Sequence, residues 1–187
     1  LPVPSCTPIQ FGGYVNGLSV IKVDSIYNPN TTNWVGSGYP ADATCSNPLY
    51  LRESKKYYFH IFSSGFYSIG DFSSWIDFNN DGVFTQSEML AGQGIIYSSN
   101  TGYIASVIPP NAVKNVPLRM RVIIYDSDYG GYSFDGACSG VGIRGNYHDY
   151  TVFIKPALPA VANFSASLNT VCAPSNQYIS FTNTSEN

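Results

Sequence analysis

Short apolar runs, each closed by turn residues, recur along the chain at 19–23, 56–62, 72–78, 102–108, 118–125 and 149–154. The run 56–62 ends at Ser63-Ser64-Gly65, and 72–78 runs into Asn79-Asn80-Asp81-Gly82. The run 102–108 stops at Pro109-Pro110, and 118–125 alternates best in its first half. Strand side chains point alternately to opposite faces. Many short strands with Gly, Pro and Asn between them predict an all-β, antiparallel, jelly-roll-like sandwich. No window carries a convincing helical period. A short helix has room only near 86–90. The stretch Pro156-Ala157-Leu158-Pro159-Ala160 breaks the pattern and reads as a linker. Beyond it, 161–167 and 178–185 make two strands at most, and about 30 residues do not close a sandwich alone. The expected organisation is one β-sandwich over 1–155, a linker over 156–160, and over 161–187 either the start of a second β domain or a strand pair docked on the first.

Composition sharpens this picture. Of 187 residues, 44% are hydrophobic, enough for a sizeable core, while only 11% are charged. An average soluble domain carries roughly 25% charged residues. The polar surface must therefore come from Ser, Thr, Asn, Gly and the 15 Tyr, as in secreted β proteins. The net charge is −3 and no basic run occurs, which argues against nucleic acid as a partner. No apolar stretch reaches the roughly 18 residues of a spanning helix. The chain opens on Leu1-Pro2-Val3-Pro4 without a leader, and it reads as a piece of a longer secreted protein.

The four cysteines are Cys6, Cys45, Cys138 and Cys172, and only two His are present. None of the cysteines forms a CxxC pair, which disfavours structural zinc. An even number of widely spaced cysteines fits disulfides in an oxidising compartment, with three internal pairings open. Buried free thiols are the alternative.

The strongest chemical motif is the twelve-residue segment 77–88. Asp77, Asn79 and Asp81 occupy positions 1, 3 and 5 of an EF-hand-type calcium loop, and Gly82 occupies the sharp turn at position 6. Val83 at position 7 would offer its carbonyl. Phe84 follows as an apolar anchor, Thr85 at position 9 would act directly or through water, and Glu88 at position 12 would be bidentate. Ca²⁺ is a hard cation that takes 6–8 oxygens at flexible spacing, and these residue types supply them. The run 72–78 before the loop reads as a strand, and the loop occurs once. A structural calcium site between β elements is therefore expected, with a metal-free acidic turn as the plainer alternative.

Other constellations are less specific. Asp126, Asp128 and Asp135 lie among Tyr125, Tyr129, Tyr132 and Phe134. They are read either as a second metal site or sugar-binding aromatic face, or as a solvated Tyr/Gly loop. His60 and His148 sit in or near strands without a nucleophile motif, so local hydrogen bonding is their expected role. Asp24-Ser25-Ile26 resembles a short bacterial O-glycosylation acceptor.

Four stretches in order resemble the GEVED family of Bacteroidetes secreted and surface proteins. They are Tyr57-Tyr58-Phe59-His60-Ile61; Trp75-Ile76-Asp77-Phe78-Asn79-Asn80-Asp81-Gly82-Val83-Phe84 with Glu88; Ile108-Pro109-Pro110-Asn111-Ala112 leading to Arg119-Met120-Arg121-Val122; and Gly145-Asn146-Tyr147-His148-Asp149-Tyr150-Thr151-Val152. Asn146 and His148 stand where the family's name-giving motif has glutamates, so no role of those glutamates carries over. The tail 164–185 resembles the opening strands of a PKD domain. The resemblance implies a Cys6–Cys138 disulfide and leaves Cys45 unassigned. It also implies a non-catalytic, extracellular or cell-surface module of a larger protein. Such a module would hold Ca²⁺ and serve adhesion or domain spacing, with glycan, protein or neighbouring domains of the same polypeptide as partners. A carbohydrate-binding module appended to a secreted hydrolase or peptidase is the alternative.

Overall fold

A computed structural model describes residues 1–7, 17–23, 26–27, 41–45, 48–64, 70–90, 94–96, 101–126, 136–138, 146–159, 162–167 and 178–185. The strands are β1 (Gly17–Val23), β2 (Ile26–Tyr27), β3 (Ala41–Ala43), β4 (Leu49–Arg52), β5 (Lys56–Ser64), β6 (Gly70–Ile76), β7 (Gly94–Ile96), β8 (Thr101–Val107), β9 (Pro117–Asp126), β10 (Asn146–Lys155), β11 (Phe164–Ala166) and β12 (Phe181–Asn183). One 3₁₀ turn, Gln86–Glu88, stands where the sequence leaves room for a helix. The chain divides into two compact units, Leu1–Pro156 and Ala157–Asn187.

The first unit is an all-β sandwich. One sheet runs β2-β1-β5-β8; the other runs β3-β10-β9-β6-β7, with β4 also on β10. Period-two alternation explains the core directly. Tyr57, Phe59 and Ile61 of β5 and Ile104 of β8 meet Leu118, Met120, Val122 and Ile124 of β9 and Tyr150, Val152 and Ile154 of β10 in one cluster. Burial of each such apolar side chain stabilises by about 1.5–3 kcal/mol. The intervening residues of β5 and β8 face outward: Tyr58 and Tyr103 are exposed, and His60 lies 5.9 Å from the Tyr103 ring.

The second sheet departs from the expected antiparallel pattern. β3 and β4 both run parallel to β10, with His148–Tyr150 facing Ala41–Ala43 and Val152–Lys155 facing Leu49–Arg52. β9 already takes the other edge of β10 in antiparallel register. Two short pieces thus share one free edge end to end. At the break between them the Thr151 hydroxyl donates to the Thr44 carbonyl at 2.7 Å, which satisfies a backbone group the ladder leaves open.

This sheet is also buried on its far face. There Trp75, Ile123, Ala137 and Tyr147 form a second cluster, with Phe84 and Met89 packed against it. β10 is consequently covered on both sides. The reverse of Tyr147 and Asp149 is His148, 2% exposed, stacked on Tyr150 at 6.4 Å. Burial pushes the His148 pKa down to about 4, against a smaller opposing pull from Asp149. The unfolded chain takes up this proton near pH 6.5, the folded chain only near 4. The stability that neutral His148 contributes is therefore complete above about pH 6.5 and is lost as pH falls toward 4. The expected loss is about 3 kcal/mol, from 1.36 kcal/mol per pKa unit. Urea unfolding from pH 7 to 4 measures it, and His148→Leu removes that slope between pH 6.5 and 5.

The second unit contains the antiparallel pair β11–β12, with Phe164 opposite Asn183 and Ala166 opposite Phe181. The Phe164 and Phe181 rings meet edge to face at 5.7 Å, yet both remain largely exposed. Two strands alone bury little apolar surface.

Candidate functional site

The loop 77–88 leaves β6 and is returned to the sheet by backbone bonds. The Asp77 amide donates to the Arg119 carbonyl at 2.9 Å, Val113 donates to Phe78 at 2.8 Å, and Leu90 donates to Ser74 at 2.7 Å. A bridge pairs Trp75 with Met89. Gly82 has φ +82° and Asn80 φ +59°, the left-handed conformations that Gly and Asn adopt most readily. Gly82 has a second reason to lack a side chain. A Cβ there would meet the Pro4 carbonyl oxygen at 2.7 Å and Val3 Cγ1 at 3.1 Å. The N-terminal residues 1–7 thus lie directly on the loop as a strap.

Within the loop, Asp77 is fully buried. Its Oδ1 accepts the Asp81 amide at 3.1 Å and its Oδ2 the Gly82 amide at 2.9 Å. Burial raises the Asp77 pKa; these two backbone bonds oppose that, and the negative charges of Glu88 and Asp81 raise it further. Asn79 Oδ1 accepts the Asp81 amide, and Asn79 Nδ2 donates to Asp81 Oδ2 at 2.8 Å. Asp81 Oδ1 accepts the Val83 amide at 2.8 Å. The side-chain oxygen of Asn80 is buried without a hydrogen-bond partner among the described residues.

Glu88 is placed in a way the spacing does not reveal. Its Oε1 accepts the amides of Phe78 (3.0 Å) and Asn79 (3.4 Å). Its Oε2 accepts the amide and the hydroxyl of Thr85, both at 2.9 Å. The Thr85 part is a capping box on the 3₁₀ turn. One buried carboxylate therefore ties the start of the loop to its end. Among the described residues no three His, Cys, Asp or Glu side chains converge as a preformed metal cage. Nor does any Lys or Arg there pair with Asp77, Asp81 or Glu88. As a donor set the segment still suits a hard cation. It offers only oxygens, its three carboxylates lack a paired base, and the Asp77 and Asp81 oxygens each receive a single hydrogen bond.

Beneath the loop lies an ion network absent from the sequence-based candidates. Arg121, 2% exposed, donates through Nε to Asp149 Oδ1 at 2.7 Å and through Nη2 to Oδ2 at 2.8 Å. Its Nη1 reaches the Ala137 carbonyl at 3.0 Å and Cys6 Sγ at 3.4 Å. Its guanidinium lies between the rings of Tyr147 (4.7 Å) and Phe84 (5.1 Å). Arg119 Nη1 also binds Asp149 Oδ2, at 2.8 Å, and its Nε binds the Val3 carbonyl at 3.1 Å. The strap is fastened covalently as well, through a Cys6–Cys138 disulfide. That is the pair the family resemblance implies. Cys45 is an exposed free thiol. A charged residue at alternate positions of an otherwise apolar strand, Arg119 and Arg121, was the available signal for a buried network.

Several residues singled out in the sequence lie outside the described ones: Tyr129, Tyr132, Phe134, Asp128, Asp135, Asp24, Ser25 and Cys172. Of the Tyr-rich stretch only Tyr125 and Asp126 are placed, at the end of β9. His60 and His148 lie on β5 and β10, in opposite sheets.

The loop and the Arg119, Arg121 and Asp149 side chains fall within one comparison. Residues 71–153 match the family model of the GEVED domain. The GEVED match begins in β6, takes in the loop 77–88 and both arginines, and ends in β10 after Asp149. It omits the strap 1–7. A GEVED domain is a small extracellular β module of a non-catalytic family. No curated protein matches the chain. Among the described residues no helix is long and apolar enough to cross a membrane.

Proposed function

We propose that the chain is a calcium-stabilised, non-catalytic module of a larger secreted or cell-surface protein, serving adhesion or the spacing of neighbouring domains. The observation that carries the reading is the loop 77–88. Asp77, Asp81 and Glu88 crowd negative charge into one loop with no paired base among the described residues. A divalent cation relieves that repulsion. Asp77, Asn79 and Asp81 would hold it through side-chain oxygens, joined by the Val83 carbonyl, Thr85 and Glu88. Bound calcium supplies no reaction here; it fixes the loop against β6 and the strap. The Cys6–Cys138 disulfide fits an oxidising, extracellular setting.

On this reading the unit Ala157–Asn187 is the start of a PKD-like domain, and the parent protein is of the Bacteroidetes type. The exposed Phe164–Phe181 pair is the surface that further strands would cover.

Calcium binding is tested by thermal unfolding in millimolar calcium and in chelator. Chelation is expected to remove about 1–3 kcal/mol of stability. Asp81→Ala, a change on the exposed side of the loop, should make the two melting curves coincide. A wild-type curve that ignores the chelator would refute the metal.

A further inference from the structure

Where the strap crosses β9 and β10 it borders a half-open cavity of ≈ 180 Å³, whose lining includes Ser5, Asp42, Arg119, Arg121, Tyr147 and Asp149. Sites for drug-sized ligands are roughly 300–1,000 Å³, so this one admits a single small ring. The donors and acceptors facing it are unevenly spent. Arg121 is used up on Asp149, Ala137 and Cys6. Arg119 gives Nε to Val3 and Nη1 to Asp149, which leaves Nη2 without a partner among the described residues. The exposed Asp42 receives both the Thr44 amide (2.9 Å) and hydroxyl (2.6 Å) on Oδ1, which leaves Oδ2 open to solvent or ligand among the described residues. Burial works to raise the Asp42 pKa, but the Thr44 bonds and the Arg119 charge outweigh it and hold the group ionised.

The wall therefore presents one uncommitted ionic donor and one uncommitted ionic acceptor. Its formal charges cancel, Arg119 and Arg121 against Asp42 and Asp149. An anion would face two carboxylates, and a cation two guanidinium groups. A hydroxyl group donates and accepts at once. Adjacent hydroxyls on a small ring can engage both uncommitted groups, and bonds to charged partners are the stronger kind. We propose that this cavity binds one neutral sugar unit, with Arg119 and Asp42 as its polar contacts. The inference goes beyond the calcium reading, and the Tyr-rich stretch 125–134 takes no part in it.

The test is saturation-transfer NMR on the full chain with glucose, galactose, mannose and N-acetylglucosamine, with glucuronate and glucosamine as charged comparators. At least one neutral sugar should bind more tightly than either charged one. Asp42→Ala should weaken it about tenfold or more, the effect of losing one charge-assisted hydrogen bond. Arg119→Lys, which keeps the charge and loses the planar fork, should do the same. Melting curves report folding of both variants; if Arg119→Lys unfolds, Asp42→Ala decides alone. The proposal falls if no neutral monosaccharide binds at tens of millimolar, which leaves the cavity to ordered water. It also falls if a charged comparator wins, or if folded Asp42→Ala binds like the wild type.

Discussion

Asp149→Asn is expected to lower the stability of the folded chain by about 3–5 kcal/mol. The carboxylate meets both arginines on the covered face of the sheet, at 2.7–2.8 Å in three hydrogen bonds. Arg121 is nearly inaccessible to water, so the amide variant strands a buried cation beside a group that no longer balances it. Losing one partner of a buried pair costs more than the pair contributes, because the remaining charge has no solvent to turn to. Arg121→Met is expected to cost less, since Arg119 still answers Asp149 and Met can fill the slot between Phe84 and Tyr147. Combining the two changes should cost clearly less than the sum of the single effects. Urea titrations of the four proteins yield the coupling energy. A cost below about 1 kcal/mol for Asp149→Asn would mean that water reaches this face.

The second large effect belongs to the strap. Cys6 and Cys138 are 132 residues apart in sequence, and closing so long a loop removes much freedom from the unfolded chain. The chain-entropy estimate is about 4–5 kcal/mol. Cys6→Ser with Cys138→Ser should lower the denaturant midpoint accordingly. It should also loosen residues 1–7 locally, because among the described residues the strap would keep the Arg119 bond to Val3, the Arg121 contact at position 6 and packing on Gly82, but no covalent tie. Hydrogen exchange at the Gly82 amide, bonded to Asp77, reads that loosening apart from global unfolding. Gly82→Ala should reproduce the local effect with the disulfide intact, since its Cβ pushes into the Pro4 carbonyl. Equal protection of that amide with and without the disulfide would show that strap and loop are independent.

How much of this was legible in the sequence depended on the length of each pattern. β5, β6, β8, β9 and β10 were readable because each runs for seven to ten residues rich in aromatic or β-branched side chains. β3, Ala-Asp-Ala, and β4, Leu-Tyr-Leu-Arg, are too short to carry a period. Their parallel pairing is imposed by the free edge of β10, a tertiary fact with no local trace. The turn of the loop 77–88 was legible because the spacing of Asp77, Asn79, Asp81 and Gly82 encodes it. The clasp made by Glu88 was not, since it depends on where the amides of Phe78 and Asn79 point. The burial of Arg121 was hidden for a similar reason: a strand sequence does not say which residues cover its outer face. His148 reads as an ordinary strand histidine, and only the packing of two sheets makes it a group that resists protonation.

The parallel edge of β10 also bears on how the chain reaches its fold. Leu49 finds Val152 and Ala41 finds His148, so pieces from the first third of the polypeptide must wait for the last strand of the sandwich. Contacts so distant along the chain slow the search, and a ribosome has delivered nearly the whole unit before the second sheet can close. Until then β9 lacks a neighbour on one side, and its Ile-Ile-Tyr stretch is an adhesive edge on a newborn chain. Assembly of this module is therefore expected to be a late, all-at-once event, the stage at which chaperone protection matters most.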